Sequence, residues 1–468
     1  MLLAEPLPFI KEYLRILNSA IEIHCPGKEL SQIQQYWLSF CVMAIMITNS
    51  VCWSRFEKAN MGRYSTAALS WMFRKSKIPW DLLLQMSVTV ILEKYGITEG
   101  SLAVDDTDKK RSKLTKKIYR AHKVFDKSSG GYFNGQRIVF LVLITKKITI
   151  PVGFSFYIPD PVLSAWRKND KKLRKMGIKK KDRPAEPVRN KDYPTIPRIA
   201  LNLLGQFKKT HGNISVRCIF ADALYGTEEF VDQASAIFGG IQVISQIRRD
   251  QVVRFRGKEI SVEQYFKSYP GSTQKVQIRG SAPVEATFGS ARLHVNAHGK
   301  KRFVIALKYE GEDQYRYIIA SDLSWRTIDI IKAYTLRWLV EVFFQDWKAN
   351  EGWGKLTKQP GEEGSNRSLI LSLLVDHSLF FHPDQLARIE NKLPACTVGS
   401  LTAKIKVEAI LDLFEQIILS DSPFERFKEF AKEIEDNVVG LNSSKKHMVN
   451  RDLGNLEPSP HLKFKNAA

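Results

Sequence analysis

Cysteine is scarce in this chain: five in 468 residues, at positions 25, 41, 52, 218 and 396. No two form a Cys-x-x-Cys pair and their number is odd. That argues against a thiolate zinc knuckle or a full disulfide framework and leaves reduced packing thiols. His294 and His298 stand four apart, but the strand-like pattern around them would not keep a helical i,i+4 geometry, so no zinc site is expected. Long apolar runs are missing too. The most apolar stretch, Trp37 to Ile47, is too short to span a bilayer and is interrupted by Ser39. The opening residues include Glu5 and Pro6 and lack a signal-peptide pattern. A cytoplasmic, nucleoid-associated protein with no membrane partner is the expectation. Acids are in deficit: 49 against 71 Lys and Arg, a net charge of +22. Such a surplus points to nucleic acid.

The chain is long enough for two to four structural units. Residues 1 to about 95 carry helical periodicity, as in Ile10, Tyr13, Leu14 and Leu17. One candidate helix starts at Ser65-Thr66 and ends in Arg74-Lys75-Ser76-Lys77. It reads equally as a helix docked on DNA or as a core helix with a solvated basic end. Near residue 101 the pattern turns β-like. Ser101 to Thr107 is a short strand ending in acids, and 138–159 reads as two strands joined near Lys146-Lys147. Val216 to Asp222 is another apolar run ending in an acid. Candidate strands follow at 241–247, 251–256, 273–279, 291–297, 303–309 and 315–320. Helical pattern returns after about 326, and the tail after about 438 is polar. Residues 166–191 hold twelve Lys or Arg against three acids, with Pro184 and Pro187 marking a loop at the end. This run is read as a phosphate-backbone contact without sequence readout.

The most informative stretch is 334–348, Tyr-Thr-Leu-Arg-Trp-Leu-Val-Glu-Val-Phe-Phe-Gln-Asp-Trp-Lys. On one continuous helix, Tyr334, Arg337, Glu341 and Lys348 fall within about 60° of one another. A polar stripe on an otherwise apolar helix suits something charged, such as a metal ion on phosphate. Here the chain resembles the transposases of bacterial insertion sequences, family 4. Their Tyr-x2-Arg-x3-Glu-x6-Lys motif is matched at each position.

That resemblance implies an α/β fold: a ribonuclease-H-like mixed sheet flanked by helices, with a β-rich insertion before the last catalytic helix. The implied division is a helical DNA-binding domain over 1–95, the first part of the core over 96–240, and the insertion over 241–322. The second part of the core, with the motif helix, covers 323–385, and a C-terminal helical region over 386–468 offers dimer contacts. Glu341 is the implied third acid of a DDE set, and Asp222, at a strand end, the second. Alternation puts Asp105 and Asp106 on opposite sides of their strand without saying which side faces a metal. The family's Asp-Thr pairing selects Asp106. Tyr334, Arg337 and Lys348 would hold DNA phosphates. Trp338 would contact DNA or pack in the core.

Two Mg²⁺ ions, with Mn²⁺ as the alternative, are the implied cofactors on Asp106, Asp222 and Glu341. The implied reaction on double-stranded DNA is a nick, a hairpin made by the freed 3′-hydroxyl, hairpin opening, and joining to target DNA by a homodimer bridging two ends. The chain departs from the family in having no Trp between 241 and 322, leaving Phe303, Tyr309, Tyr315 or Tyr317 to stack on a flipped base. Two other readings stand beside this one: a metal-dependent DNA nuclease without strand transfer, and an inactive DNA-binding protein derived from a transposase.

Overall fold

The computed structural model describes residues 5–111, 117–126, 128–277, 283–354 and 359–437. The polar tail expected after 438 lies outside these residues. Five helices come first: α1 (Pro8–His24), α2 (Gln32–Thr48), α3 (Trp53–Ala59), α4 (Thr66–Lys75) and α5 (Trp80–Lys94). α1 begins with Pro at its first turn and buries Ile10, Tyr13, Leu14, Leu17 and Ile21, the periodic face. α2 is apolar on all sides and is buried from Trp37 to Ile47; a Ser31–Gln34 capping box starts it and Asn49 in the left-handed region ends it. Its apolar run therefore serves as the centre of a helical bundle. No single described helix is long and apolar enough to cross a membrane.

The sheet follows. β1 (Glu99–Lys110), β2 (His122–Asp126), β3 (Gly131–Ile144) and β4 (Thr149–Tyr157) form an antiparallel unit, with β1 and β4 on either side of β3. α6 (Pro161–Lys175) and α7 (Ile196–Thr210) lead to β5 (Ser215–Ala221), α8 (Glu228–Ile237) and β6 (Gln242–Ile247). β5 pairs parallel with β1, and β6 parallel with β5. The order β4-β3-β1-β5-β6, three antiparallel strands and then two parallel ones, is the ribonuclease-H-like arrangement.

Strands beyond residue 250 extend this sheet rather than starting another. β7 (Val252–Phe255), β8 (Lys258–Ser261), α9 (Val262–Ser268), β9 (Ser272–Val276), β10 (Val284–Val295), β11 (Lys300–Tyr309) and β12 (Arg316–Ala320) come next. β12 pairs antiparallel with β6, so the described sheet is continuous over twelve strands. Helices close the chain: α10 (Thr327–Thr335), α11 (Trp338–Asn350), α12 (Gly361–Leu379), α13 (Pro383–Glu390), α14 (Val398–Ile418) and α15 (Pro423–Asn437).

The two faces of the sheet bury different cores. Leu102, Val104, Val139 and Leu141 pack with α7, α8 and the N-terminal bundle. Ala103, Phe140, Phe220 and Ile244 pack with Ile330, Ile331, Phe343, Phe344 and Trp347 of α10 and α11. Phe140 alone meets Phe343, Phe344 and Trp347 with ring centroids 5.0–5.6 Å apart. This aromatic wedge fixes α11 against the centre of the sheet.

One local expectation changes and one segment gains definition. The basic run is helical in its first half: Asp160 caps α6 by accepting from Val162 N and Leu163 N, and Pro161 opens it. The stretch 334–348 is not one helix. Leu336 N bonds Ala333 O, Arg337 N bonds Tyr334 O and Val340 N bonds Arg337 O, all three residues back. This tight turn separates α10, with Tyr334, from α11, with Glu341 and Lys348.

Candidate active site

The pairing of β1 with β5 brings the first acids together. Leu102, Ala103 and Val104 stand opposite Ile219, Phe220 and Ala221. The next step sets Asp105 opposite Asp222, on adjacent strands about 4.8 Å apart. Strand alternation points both to the face of Ala103 and Phe220, where α11 lies. Asp106 points to the other face, and its Oδ2 is 3.4 Å from Arg137 Nε.

The motif residues meet Asp105 rather than Asp106. Arg337 Nη1 donates to Asp105 Oδ2 at 2.8 Å, and Arg337 Nη2 lies 3.6 Å from Glu341 Oε1. Lys348 Nζ donates to Thr107 Oγ1, and Lys109 Nζ to Gly354 O. Asp105, Thr107 and Lys109 alternate along β1 and are all buried. Sequence reasoning weighed Asp105 and chose Asp106 from the Asp-Thr pairing. The Asp-Thr pairing does not say which of the two faces α11; the β1–β5 register, set by the fold, puts Asp105 on that face.

Charges on this face perturb one another. Burial pushes the Asp105 carboxyl up to about 7; Arg337 opposes this, while Glu341, Asp106 and Asp222 add to it. Burial pulls Lys109 down to about 7, helped by Arg111 and Lys348. Lys348 is lowered by burial, against the pull of Asp108 and Glu341. Arg337, despite burial, is raised by Tyr334, Asp105, Asp222 and Glu341.

Asp222 caps a short 3₁₀ turn, Ala223–Tyr225, accepting from Ala223 N at 2.6 Å. Its backbone carbonyl accepts from Ser245 Oγ at 2.9 Å. Among the described residues no three His, Cys, Asp or Glu side chains are gathered tightly enough to hold an ion as they stand. The donor set nevertheless suits a hard divalent cation. It is all carboxylate, and Asp105 sits in a negative potential from three other acids that a cation would relieve.

Beside the acids is a cavity of about 400 Å³ lined by Gln246, Tyr309, Arg316, Tyr334, Thr335, Arg337 and Trp338. Tyr334 is 6% exposed, and its hydroxyl has no well-formed hydrogen bond among the described residues. Burial pushes that phenol up to about 12, with Arg337 pulling it back. Trp338 is 58% exposed, so it faces the cavity and solvent rather than the core. Gln246 and Arg316 drew no notice in the sequence, because neither lies in a motif; β6 and β12 bring them here.

A family model described as DDE superfamily endonuclease matches residues 56–287. The match supports a DDE-type nuclease or transposase. Its span holds Asp105, Asp106 and Asp222 and ends before Glu341. A DDE-type enzyme acts on DNA and generally uses divalent metal ions. No curated protein matches the chain. Among solved structures, the NurA nuclease from Sulfolobus solfataricus is similar at 9% identity and a TM-score of 0.23, over 50% of this chain and 71% of that one. The C-terminal lobe of a budding yeast Argonaute is similar at 11% identity and 0.20, over 67% and 57%. At such scores neither likeness carries an argument for the DDE-type site.

Proposed function

We propose that this chain is the transposase of an insertion sequence, of the family-4 type, cutting the ends of its element and joining the freed 3′-hydroxyls to target DNA. The observation that supports this most is the setting of Asp105 and Asp222 on adjacent parallel strands, under Arg337 and Glu341. A divalent ion pair, Mg²⁺ or Mn²⁺, held by Asp105, Asp222 and Glu341, would supply an activated water and neutralise charge on the leaving oxygen.

The chain's own residues do the rest. Arg337 and Lys348 place positive charge along the acid-bearing face, where the scissile phosphate would lie. Tyr334 offers a phenol that stays protonated, so it can donate to a phosphate oxygen. Trp338, Tyr309 and Arg316 give the adjacent cavity stacking surfaces for a base turned out of the duplex. Trp338 thus offers the indole that the insertion lacks, and it supports a hairpin intermediate. Two members of the basic run, Arg189 and Arg167, act on Tyr157 together with Arg137 and Asp106, on the face of β1 opposite Asp105.

A homodimer is part of the reading. Val407, Leu411, Phe414 and Ile418 are 43–67% exposed at spacings of four, three and four on α14. One apolar stripe on a helix in an otherwise charged chain suits a second copy.

The test uses duplex DNA spanning the gene's own flanks, Mg²⁺, and a circular plasmid as acceptor, with products resolved on denaturing gels. Nicks and hairpins at fixed flank positions, followed by joining to the plasmid, are expected. Cleavage without joining would favour a DDE nuclease; binding without cleavage would favour a transposase-derived DNA-binding protein.

A further inference from the structure

The turn that carries Asp222 is gripped from outside by the hairpin of β10 and β11. Ser245 holds its first carbonyl, and at the other end Gly226 O lies 3.2 Å from His298 Nε2. Gly226 is wedged in place: a Cβ there would stand 2.2 Å from Gln246 O. His298 closes the 3₁₀ turn Asn296–His298 at the hairpin tip, just before Gly299 at φ +59°.

A buried relay stands behind this contact. His298 and Arg302 are 2% and 3% exposed. Arg302 Nε donates to His298 Nδ1 at 3.1 Å, and Arg302 Nη2 pairs with Asp232 Oδ1 at 2.6 Å. Lys300 joins the same carboxylate at 2.5 Å. An N–H aimed at Nδ1 requires that nitrogen to be bare, so the ring proton sits on Nε2 and points at Gly226 O. A second proton on Nδ1 would confront the Arg302 N–H and break the relay. The charged groups around the ring are Arg302 on β11 and Asp232 and Glu228 on α8. Burial, then Arg302, keeps the imidazole below its usual range, against the two acids and the Gly226 bond.

We infer that His298 is a positioning residue: as a neutral imidazole buttressed by Arg302 and Asp232, it sets the turn that presents Asp222. The inference rests on the reading of Asp222 as part of the cleavage site. It also gives the extended sheet a mechanical role, since strands added after β6 reach back to lock a turn of the core.

The experiment compares full-length wild type, His298→Ala, His298→Gln and Arg302→Lys, with Asp222→Ala as control. Two readouts are taken: kcat and KM on flank DNA from pH 5.5 to 8.5 (about one decade below and two above an ordinary imidazole), and amide hydrogen exchange of 223–226 without DNA. His298→Ala is expected to lower kcat by about 10- to 100-fold with KM unchanged, the scale of losing a supporting hydrogen bond, and to speed exchange of the turn. His298→Gln, which keeps an N–H donor, recovers most of both and shows a shallower acid-side fall in kcat than wild type, the remaining fall being set by Asp105. Arg302→Lys keeps the charge on Asp232 but not the Nε donor, and sides with His298→Ala. Unchanged exchange at 223–226 in folded His298→Ala, or a Gln variant no better than Ala, overturns the inference. A wild type that does not cut, or an Asp222→Ala that cuts normally, defeats the functional reading instead, while the exchange readout still decides the role of His298.

Discussion

Arg337 Nη1 donates to Asp105 Oδ2 at 2.8 Å, joining residues 232 positions apart in the chain. Their side chains are only 15% and 10% exposed. An ion pair this enclosed ties the tight turn between α10 and α11 to the end of β1, and so ties the motif helix to the sheet strand beside β5. The pair also holds Asp105 in place next to Asp222. Its energetic signature is asymmetric: one partner left alone is a buried, uncompensated charge.

Arg337→Ala should therefore destabilise the fold by about 3 kcal/mol or more, read by urea unfolding. Adding Asp105→Asn should return a large part of that loss while leaving the protein unable to cut DNA. Simple additivity of the two substitutions would show that the pair is not coupled in solution.

Two buried carboxyls, Glu351 at the end of α11 and Asp376 on α12, set a pH dependence of stability. Glu351 and Asp376 are both in the core beside each other, and Glu351 Oε1, Glu351 Oε2 and Asp376 Oδ2 make no well-formed hydrogen bond to any other described residue. Burial pushes Asp376 up to about 7 from an ordinary 3.8. Burial, then the charges of Asp376 and Asp346, lift Glu351 well above its usual range. The folded chain holds these protons more tightly than the unfolded one. Stability from this pair is thus fully present below about pH 4 and is lost as pH rises through about 7. Melting temperature between pH 5 and 9 should fall more steeply for wild type than for Asp376→Asn. Parallel curves would remove the pair as the cause.

Lys348 faces the acid row through Thr107. Its replacement by Ala should weaken DNA binding uniformly across sequences and flatten the salt dependence by about 0.9 in log–log slope, the value of one phosphate contact. Fluorescence anisotropy over a salt series measures it. A slope equal to that of wild type would place Lys348 away from phosphate.

Trp338 presents an exposed indole at the cavity beside Tyr334. With Trp338→Ala, first-strand nicking should persist while hairpin product drops, by about 5- to 150-fold for a lost stacking contact of about 1–3 kcal/mol. Equal hairpin yield from the variant and wild type would move the flipped base elsewhere.

The sheet was legible from the sequence because its strands end in chemistry. Ser101–Thr107 and Val216–Asp222 each run apolar into an acid, and the Glu310–Asp313 turn marks the β11–β12 hairpin. Two features were hidden. The motif stretch reads as one helix by periodicity, since three-residue hydrogen bonds at Leu336 and Arg337 leave no mark in an apolar pattern. The choice of Asp105 over Asp106 depends on pairing with a strand more than a hundred residues away; alternation fixes that they face opposite sides and nothing local says which side α11 covers. α6 was hidden for another reason: a run of Lys and Arg has little apolar period, and its helix start is marked only by the Asp160 cap and Pro161 before it.

The measurement closest to the central claim sets Asp105→Asn, Asp106→Asn and Glu341→Gln beside wild type on flank DNA with Mg²⁺, scoring nicks on a denaturing gel and DNA binding in parallel. Cleavage should fall by more than about 100-fold in Asp105→Asn and Glu341→Gln, beyond what supporting contacts are worth, with binding retained and Asp106→Asn still cutting. Loss of cutting in Asp106→Asn with an active Asp105→Asn would contradict the site as the β1–β5 register builds it.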